Sequence, residues 1–345
     1  MIYPWIFEFT NAFGASEPGR FDPAGAARDV AWYLDLWAEC EDIGFEGIFF
    51  SEHHFRLPSM SPSPNLLIAA AAARTRRLRL GTMGNVVPFY EPWRLAEEYG
   101  LLDLLSGGRL EIGLSSGVGP MEYRAVGMNE EEMRPRFAEA LDVIDAALTQ
   151  PRFTHHGRHW NLDELSIVPR PLQQPQPRRW MTGLGVPTAQ MAARRGCCFC
   201  TGFLTVERVR DVFAAYRTAA TEAGHRVDSA HLGLRRQVYI GDDDAAAREL
   251  ALQGLRRLQG IMAGVPAPGD SVPDAPRQAP LIGDEESIGG APAQVAEQII
   301  DQCRRAGASH FLAYLFGSYS REQVRRSYDL WRQVIPVLRR AHIEG

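Results

Sequence analysis

Glu52-His53-His54 sits abruptly at the end of a near-continuous apolar run, Phe45 to Phe50, and these residue types do proton chemistry. An imidazole titrates near neutral pH, so it can take up a proton or return one. A carboxylate two residues away can orient an imidazole or pair with an arginine. Neighbouring residues on a strand point to opposite faces, so one of His53 and His54 should face a pocket while the other buttresses it. A metal site is the weaker reading, because adjacent histidines rarely share an ion and no third ligand stands at ligand spacing. A second cluster, His155, His156 and His159, lacks the helical or finger context of a metal site and reads as a solvated loop.

Two glycine-containing stretches also bear on chemistry. Gly113-Leu114-Ser115-Ser116-Gly117 matches the G-x-S-x-G elbow of serine hydrolases. That elbow needs a helix starting at the serine, whereas Val118-Gly119-Pro120 follow here and helical spacing resumes only near Glu130. His310 opens a strand, the wrong end for a triad partner. Gly183-Leu184-Gly185-Val186-Pro187-Thr188 is the better phosphate site. Its glycines allow close backbone approach, and Thr188 is expected to cap a helix whose free N–H groups and dipole favour an anion. Trp5, Phe7, Phe9, Phe89, Tyr90 and Trp93 are candidate walls of an apolar substrate pocket, although alternating residues of the first strand are more commonly core. Arg235 and Arg236 are consecutive on a strand, so one faces inward. Arg236 is assigned to the pocket, to hold an anionic substrate or a buried carboxylate.

The whole chain limits what these residues can belong to. Its 345 residues are 45% apolar, enough for a large core, and its net charge of -5 argues against nucleic acid as a main partner. Every basic residue counted is arginine, which excludes a lysine Schiff base and a P-loop lysine. The apolar run Leu66 to Ala73 is too short to span a bilayer. Met1 to Trp5 lacks the basic start of a signal peptide. Five cysteines, an odd count, suggest reduced thiols. The cytoplasm is the expected compartment.

Positioning these residues falls to alternating strands and helices. Strands are expected over 3–9, 45–50, 78–83, 110–114, 179–182, 197–201, 232–240 and 309–315. Each is followed by a helical pattern, the first over 26–43 closed by Gly44, the last over 321–341. Excursions over about 152–177 and 264–290 interrupt the series. The first suggests a small hairpin with an extended arm; the second suggests a lid over the pocket. Strand–helix alternation implies a parallel sheet with right-handed crossovers, and eight units fit a closed barrel. Without G-x-G-x-x-G after an early strand, the usual dinucleotide signature is missing. The expected architecture is one α/β domain over 1–345, a TIM (β/α)8 barrel, whose C-terminal face carries the chemistry.

The order and spacing of Phe50-Ser51-Glu52-His53-His54-Phe55, Leu80-Gly81-Thr82 with Val87-Pro88, Leu101 to Arg109, the Gly113 to Gly117 loop, Ala192 to Gly196 and Ile335 to Arg339 resemble the bacterial-luciferase-like flavin monooxygenases over nearly the whole chain. The resemblance implies a luciferase-like barrel that binds reduced FMN and activates O2. It places His53 beside the flavin's reactive edge, with His54 and Glu52 in support. Met83-Gly84-Asn85 would lie under the ring, with a non-proline cis peptide at Met83–Gly84. Ser115, Ser116 and Val118 would meet the ribityl chain or phosphate, beside Gly183, Leu184, Gly185, Val186 and Thr188. The chain departs from the family's pattern at Ser116, Gly185 and Val186, so the phosphate grip would rest on backbone N–H groups and Thr188. The resemblance further implies a separate flavin reductase, a small or medium apolar organic substrate, and a homodimer through the second and third helices. Two alternatives share the barrel: a deazaflavin-dependent oxidoreductase, whose members more often show Asp-His at strand two, and a non-catalytic partner subunit like the luciferase β chain.

Overall fold

A computed structural model describes residues 1–13, 21–55, 59–117, 120–262 and 282–343. Its strands are β1 (Tyr3–Glu8), β2 (Gly47–Phe50), β3 (Arg79–Thr82), β4 (Asn85–Val86), β5 (Leu110–Ser115), β6 (Phe153–His156), β7 (Asn161–Leu165), β8 (Arg178–Thr182), β9 (Cys198–Thr201), β10 (Leu232–Ile240), β11 (Ser287–Gly290) and β12 (His310–Tyr314). The helices are α1 (Pro23–Ile43), α2 (Pro64–Arg74), α3 (Pro92–Ser106), α4 (Pro120–Ala125), α5 (Glu130–Thr149), α6 (Val186–Arg194), α7 (Val206–Glu222), α8 (Asp244–Met262), α9 (Pro292–Ala306) and α10 (Arg321–Arg340).

Parallel pairing runs β1–β2–β3–β5–β8–β9–β10–β12 and returns from β12 to β1, so eight strands close a ring. Strand alternation then sorts side chains into two layers. Trp5, Phe7, Phe49, Trp180, Cys198, Cys200, Leu312 and Tyr314 fill the interior, while Ile6, Ile48, Phe50, Leu80, Ile112 and Phe199 pack outward against the helices. Helix ends follow local chemistry. The Asp22 side chain accepts from Ala24 N–H at the start of α1, and Gly44, at φ 106°, ends it in the left-handed region open to glycine. Ser320 and Gln323 form a capping box at α10.

The N-terminal floor of the barrel is polar. Buried Glu111 accepts from Arg178 Nε at 2.8 Å and Trp180 Nε1 at 2.7 Å and also pairs with Arg79. His310 lies on this floor, with its Nδ1 accepting from Trp5 Nε1 at 2.8 Å. Burial pushes its pKa down to about 3, so it stays neutral. It is remote from the functional end, as its strand position implied.

The first excursion holds the antiparallel hairpin β6–β7, so His155 and His156 lie on a strand rather than in a loop. His155 Nε2 is 3.3 Å from Glu139 and His156 Nε2 is 3.2 Å from Asp163. Part of the second excursion is also ordered structure, because Ser287–Gly290 forms β11 and extends the sheet beside the C-terminal half of β10. The lid expected there falls mostly on residues 263–281, outside the described residues.

Candidate active site

Inward and outward parity continues past the end of β2. Phe49 points in and Phe50 points out, so His53 falls on the inner side and Glu52 and His54 on the outer. His53 stacks on Phe9, with ring centroids 6.0 Å apart and planes 13° apart. Its backbone N–H donates to Ser61 O at 3.0 Å, which pins the strand end. Its Nδ1 is 3.5 Å from Glu122 Oε1, and the same oxygen accepts from His54 N–H at 3.4 Å. One of the two imidazoles therefore faces the barrel and the other does not.

Glu52 ties the outer side together. It is buried, and it accepts from Tyr90 Oη at 2.7 Å, Asn85 Nδ2 at 3.1 Å and His54 Nε2 at 3.0 Å. Tyr99 Oη donates to Asn85 Oδ1 at 3.0 Å and extends the network to α3. The Glu52 hydrogen bond raises the His54 pKa above its ordinary value, against the effect of burial. Burial, with the Glu52 charge behind it, holds the Tyr90 hydroxyl protonated. His54 also meets Phe89 edge-on at 5.5 Å. Among the described residues Glu52 thus orients His54 and pairs with no arginine.

The other expected site residues emerge next to this network. β4 pairs with β5, Asn85 opposite Leu114 and Val86 opposite Ser115, while Leu114 lies opposite Met181 on β8. The loops after β3, β5 and β8 therefore leave the barrel side by side. The Met83–Gly84 peptide is cis. A Cβ on Gly84 would sit 2.8 Å from Gly113 C and Leu114 N, so only glycine fits that crossing. Ser115 Oγ accepts from Gly117 N–H at 3.0 Å, a strand-end turn and not a nucleophile elbow. Ser116 is half-buried beside it, and Val118 lies outside the described residues. Gly183 is packed on Thr188, whose Cγ2 a Cβ would meet at 2.8 Å. The expected cap is corrected: α6 starts at Val186 with Gly185 as N-cap, which puts Thr188 in the first turn. Pro187 in that turn is the signal for the earlier start. The first bond back along the helix is Ala189 N–H to Gly185 O, so the Val186 and Thr188 N–H groups point out of the helix end. Leu184 and Gly185 form the turn in front of them.

Of the expected pocket walls, Phe7 and Phe9 line the interior. Phe89 packs near Val86 and Tyr123, Tyr90 serves Glu52, and Trp93 lies half-buried against the outer core. Trp93 therefore faces away from the interior wall. Arg236 is a second correction. It lies on the helix side of β10, fully buried, with Nη1 2.9 Å from Glu286 and Nε donating to Gln302 at 2.8 Å. Arg235 is the inward residue, over the rings of Phe7 at 4.7 Å and Phe203 at 4.4 Å. Sequence reasoning also missed Glu122, carried on the six-residue α4, a helix too short to show a period.

A family model described as luciferase-like monooxygenase matches residues 12–310. The chain belongs to this family. The enzyme class expected from the sequence, a luciferase-like flavin-dependent monooxygenase, therefore stands. The oxygenase component of a flavin-dependent trigonelline monooxygenase from Acinetobacter baylyi is 30% identical over 63% of this chain and 61% of its own length. The fold matches monooxygenase RslO1 from Streptomyces bottropensis at a TM-score of 0.83 and 24% identity, over 97% of this chain and 99% of that one. It also matches the oxygenating constituent of 3,6-diketocamphane monooxygenase from Pseudomonas putida, a Type II Baeyer–Villiger monooxygenase solved with FMN. That TM-score is 0.81 at 21% identity, over 99% of each chain. No helix among the described residues is long and apolar enough to cross a membrane.

Proposed function

We propose that this chain is the oxygenase of a two-component system. Reduced FMN made by a separate flavin reductase binds at the C-terminal mouth of the barrel beside His53 and activates O2 for transfer to a small or medium organic substrate. The observation that carries the reading is the convergence of His53, the Met83–Gly84–Asn85 crossing and the α6 N-terminus on one rim. The trigonelline relative is named an oxygenase component, and the diketocamphane neighbour carries FMN, which supports both the cofactor and the reductase.

The residues present fit the group. Gly84 and Gly113 let the chain after β3 cross β5 at backbone contact, which sets the rim against which the ring would lie. Ser51 Oγ, on the His53 side of the strand, is buried without a hydrogen-bond partner among the described residues. The α6 N-terminus offers N–H groups and positive dipole to a phosphate, with Ser115 and Ser116 across from it on the neighbouring strand end. When bound, reduced FMN supplies the electron pair that activates O2. The chain's own part is to hold and shield. With Nδ1 turned to Glu122, His53 keeps Nε2 for moving a proton. Glu52 holds His54 in place, and the Phe7–Phe9 wall excludes water.

Two further features complete the reading. Leu66 on α2 and Leu101, Leu104 and Leu105 on α3 are exposed, and a second copy of the chain covers them in a homodimer. All five cysteines are free and buried, in keeping with the cytoplasm. Anaerobic titration with reduced FMN, and separately with a reduced deazaflavin, tests the proposal. Saturation by FMN at one per chain, followed by O2 consumption that His53→Ala suppresses, is the expected result. Binding of deazaflavin alone makes the chain a hydride-transfer enzyme, and binding of neither makes it a partner subunit. Light scattering at the monomer mass rejects the dimer.

A further inference from the structure

We infer that Arg235 anchors a carboxylate on an otherwise flat, apolar substrate, with the substrate's body lying along the aromatic wall toward His53. The inference narrows the substrate class of the flavin reading above and rests on it for where the substrate reacts. Arg235 is only 6% exposed, yet its Nε has no hydrogen-bond partner, and its side chain makes no ion pair among the described residues. The contrast with its neighbour is direct. Arg236 is neutralised by Glu286 and donates to Gln302 Oε1 and Leu204 O. Glu286 is already taken, by Arg236 at 2.9 Å, Phe203 N–H at 2.7 Å and Tyr314 Oη at 2.9 Å.

An arginine does not shed its proton, so burial without an anion is unfavourable. The rings of Phe7 and Phe203 hold the guanidinium by its faces and leave its N–H edge unsatisfied. A planar N–H edge between two rings suits the two oxygens of one carboxylate. Phe203 reaches its place with φ at 60°, a region that side chains rarely adopt and that clusters at ligand sites. From Arg235 the wall is continuous: Phe7 meets Phe9 edge-on at 5.0 Å, and Phe9 stacks on His53. Tyr314 and Phe316 close the sides, 5.6 and 5.7 Å from Phe9. An acid bound at Arg235 therefore presents its apolar end to the edge where the flavin reading puts oxygen.

The test is calorimetric titration of the full chain, without flavin, using benzoate, naphthoate and cyclohexanecarboxylate, each beside its methyl ester. At least one acid should bind tenfold or more tightly than its ester. Arg235→Met should abolish that preference, Arg235→Lys should restore part of it, and reduced FMN affinity should stay within twofold in both variants. Because the guanidinium makes no ion pair among the described residues, Arg235→Met should hold or raise Tm, whereas an arginine whose charge serves the fold would lower it. Acids that bind no better than esters overturn the inference, as does a loss of FMN affinity in Arg235→Met. Acid binding without any FMN binding would sink the flavin reading and leave this one standing.

Discussion

Replacing Glu52 with alanine should cost about 3 kcal/mol, and the figure follows from the three donors that converge on it. Tyr90 Oη, at 2.7 Å on a half-buried side chain, donates to no other acceptor among the described residues, so losing Glu52 leaves it short of a partner at about 2 kcal/mol. Asn85 Nδ2 keeps Tyr90 Oη at 3.2 Å, and the His54 side chain is 21% exposed and can turn to water. Those two losses are roughly 0.5 kcal/mol each. With an unfolding entropy of about 2.1 cal/mol/K per residue, the whole chain loses about 4 °C in Tm. The pH dependence carries the sharper test. Glu52 raises the pKa of His54, so the pair stabilises fully below the ordinary histidine value and ceases to do so as pH rises through the raised one. The deficit of Glu52→Ala should therefore be larger at about pH 6 than at about pH 9, where the Tyr90 penalty remains. Scanning calorimetry at both pH values measures it. A shift under about 1 °C, or a deficit that grows with pH, would refute the assigned network.

His53→Ala should lower turnover by about 10²- to 10⁴-fold with Tm nearly unchanged, since the ring is part-exposed and its backbone bond to Ser61 survives. Steady-state kinetics with a reductase checks it. Gly84→Ala should destabilise by about 1–3 kcal/mol and weaken reduced FMN binding, because the new methyl meets backbone atoms of Gly113 and Leu114 that cannot give way. Denaturant unfolding and flavin titration read the two effects. Arg236→Met should cost about 3–5 kcal/mol by leaving Glu286 buried without its cation, against no loss for Arg235→Met. Burial already holds the Glu286 pKa above its ordinary value, so that deficit should narrow as the medium becomes acidic.

The eight barrel strands were legible because each is a short apolar run bounded by glycine or polar residues, and all eight lie where expected. Most helices were legible from their spacing and stop signals, such as Gly44 and Gly107. β11 was hidden, since Ser-Ile-Gly-Gly carries one apolar side chain and sits in a Pro- and Gly-rich stretch. The side of β10 on which each arginine falls could not be read, because all nine of its residues are buried and no alternation marks the inner face. The histidine pair stood out by residue type at a strand end. Their partners did not: Glu122 comes from a single helical turn and a half, and Tyr99 from a helix whose core face needs an aromatic anyway. Side chains that act by contact across the fold leave no local pattern.

The most direct measurement is a structure of the protein soaked anaerobically with reduced FMN. The account expects the ring against Met83, Gly84 and Asn85 with its reactive edge toward His53, and the phosphate at the Val186 and Thr188 N–H groups. FMN bound elsewhere on the barrel, or a ring in the mouth with His53 turned away from it, would contradict the account.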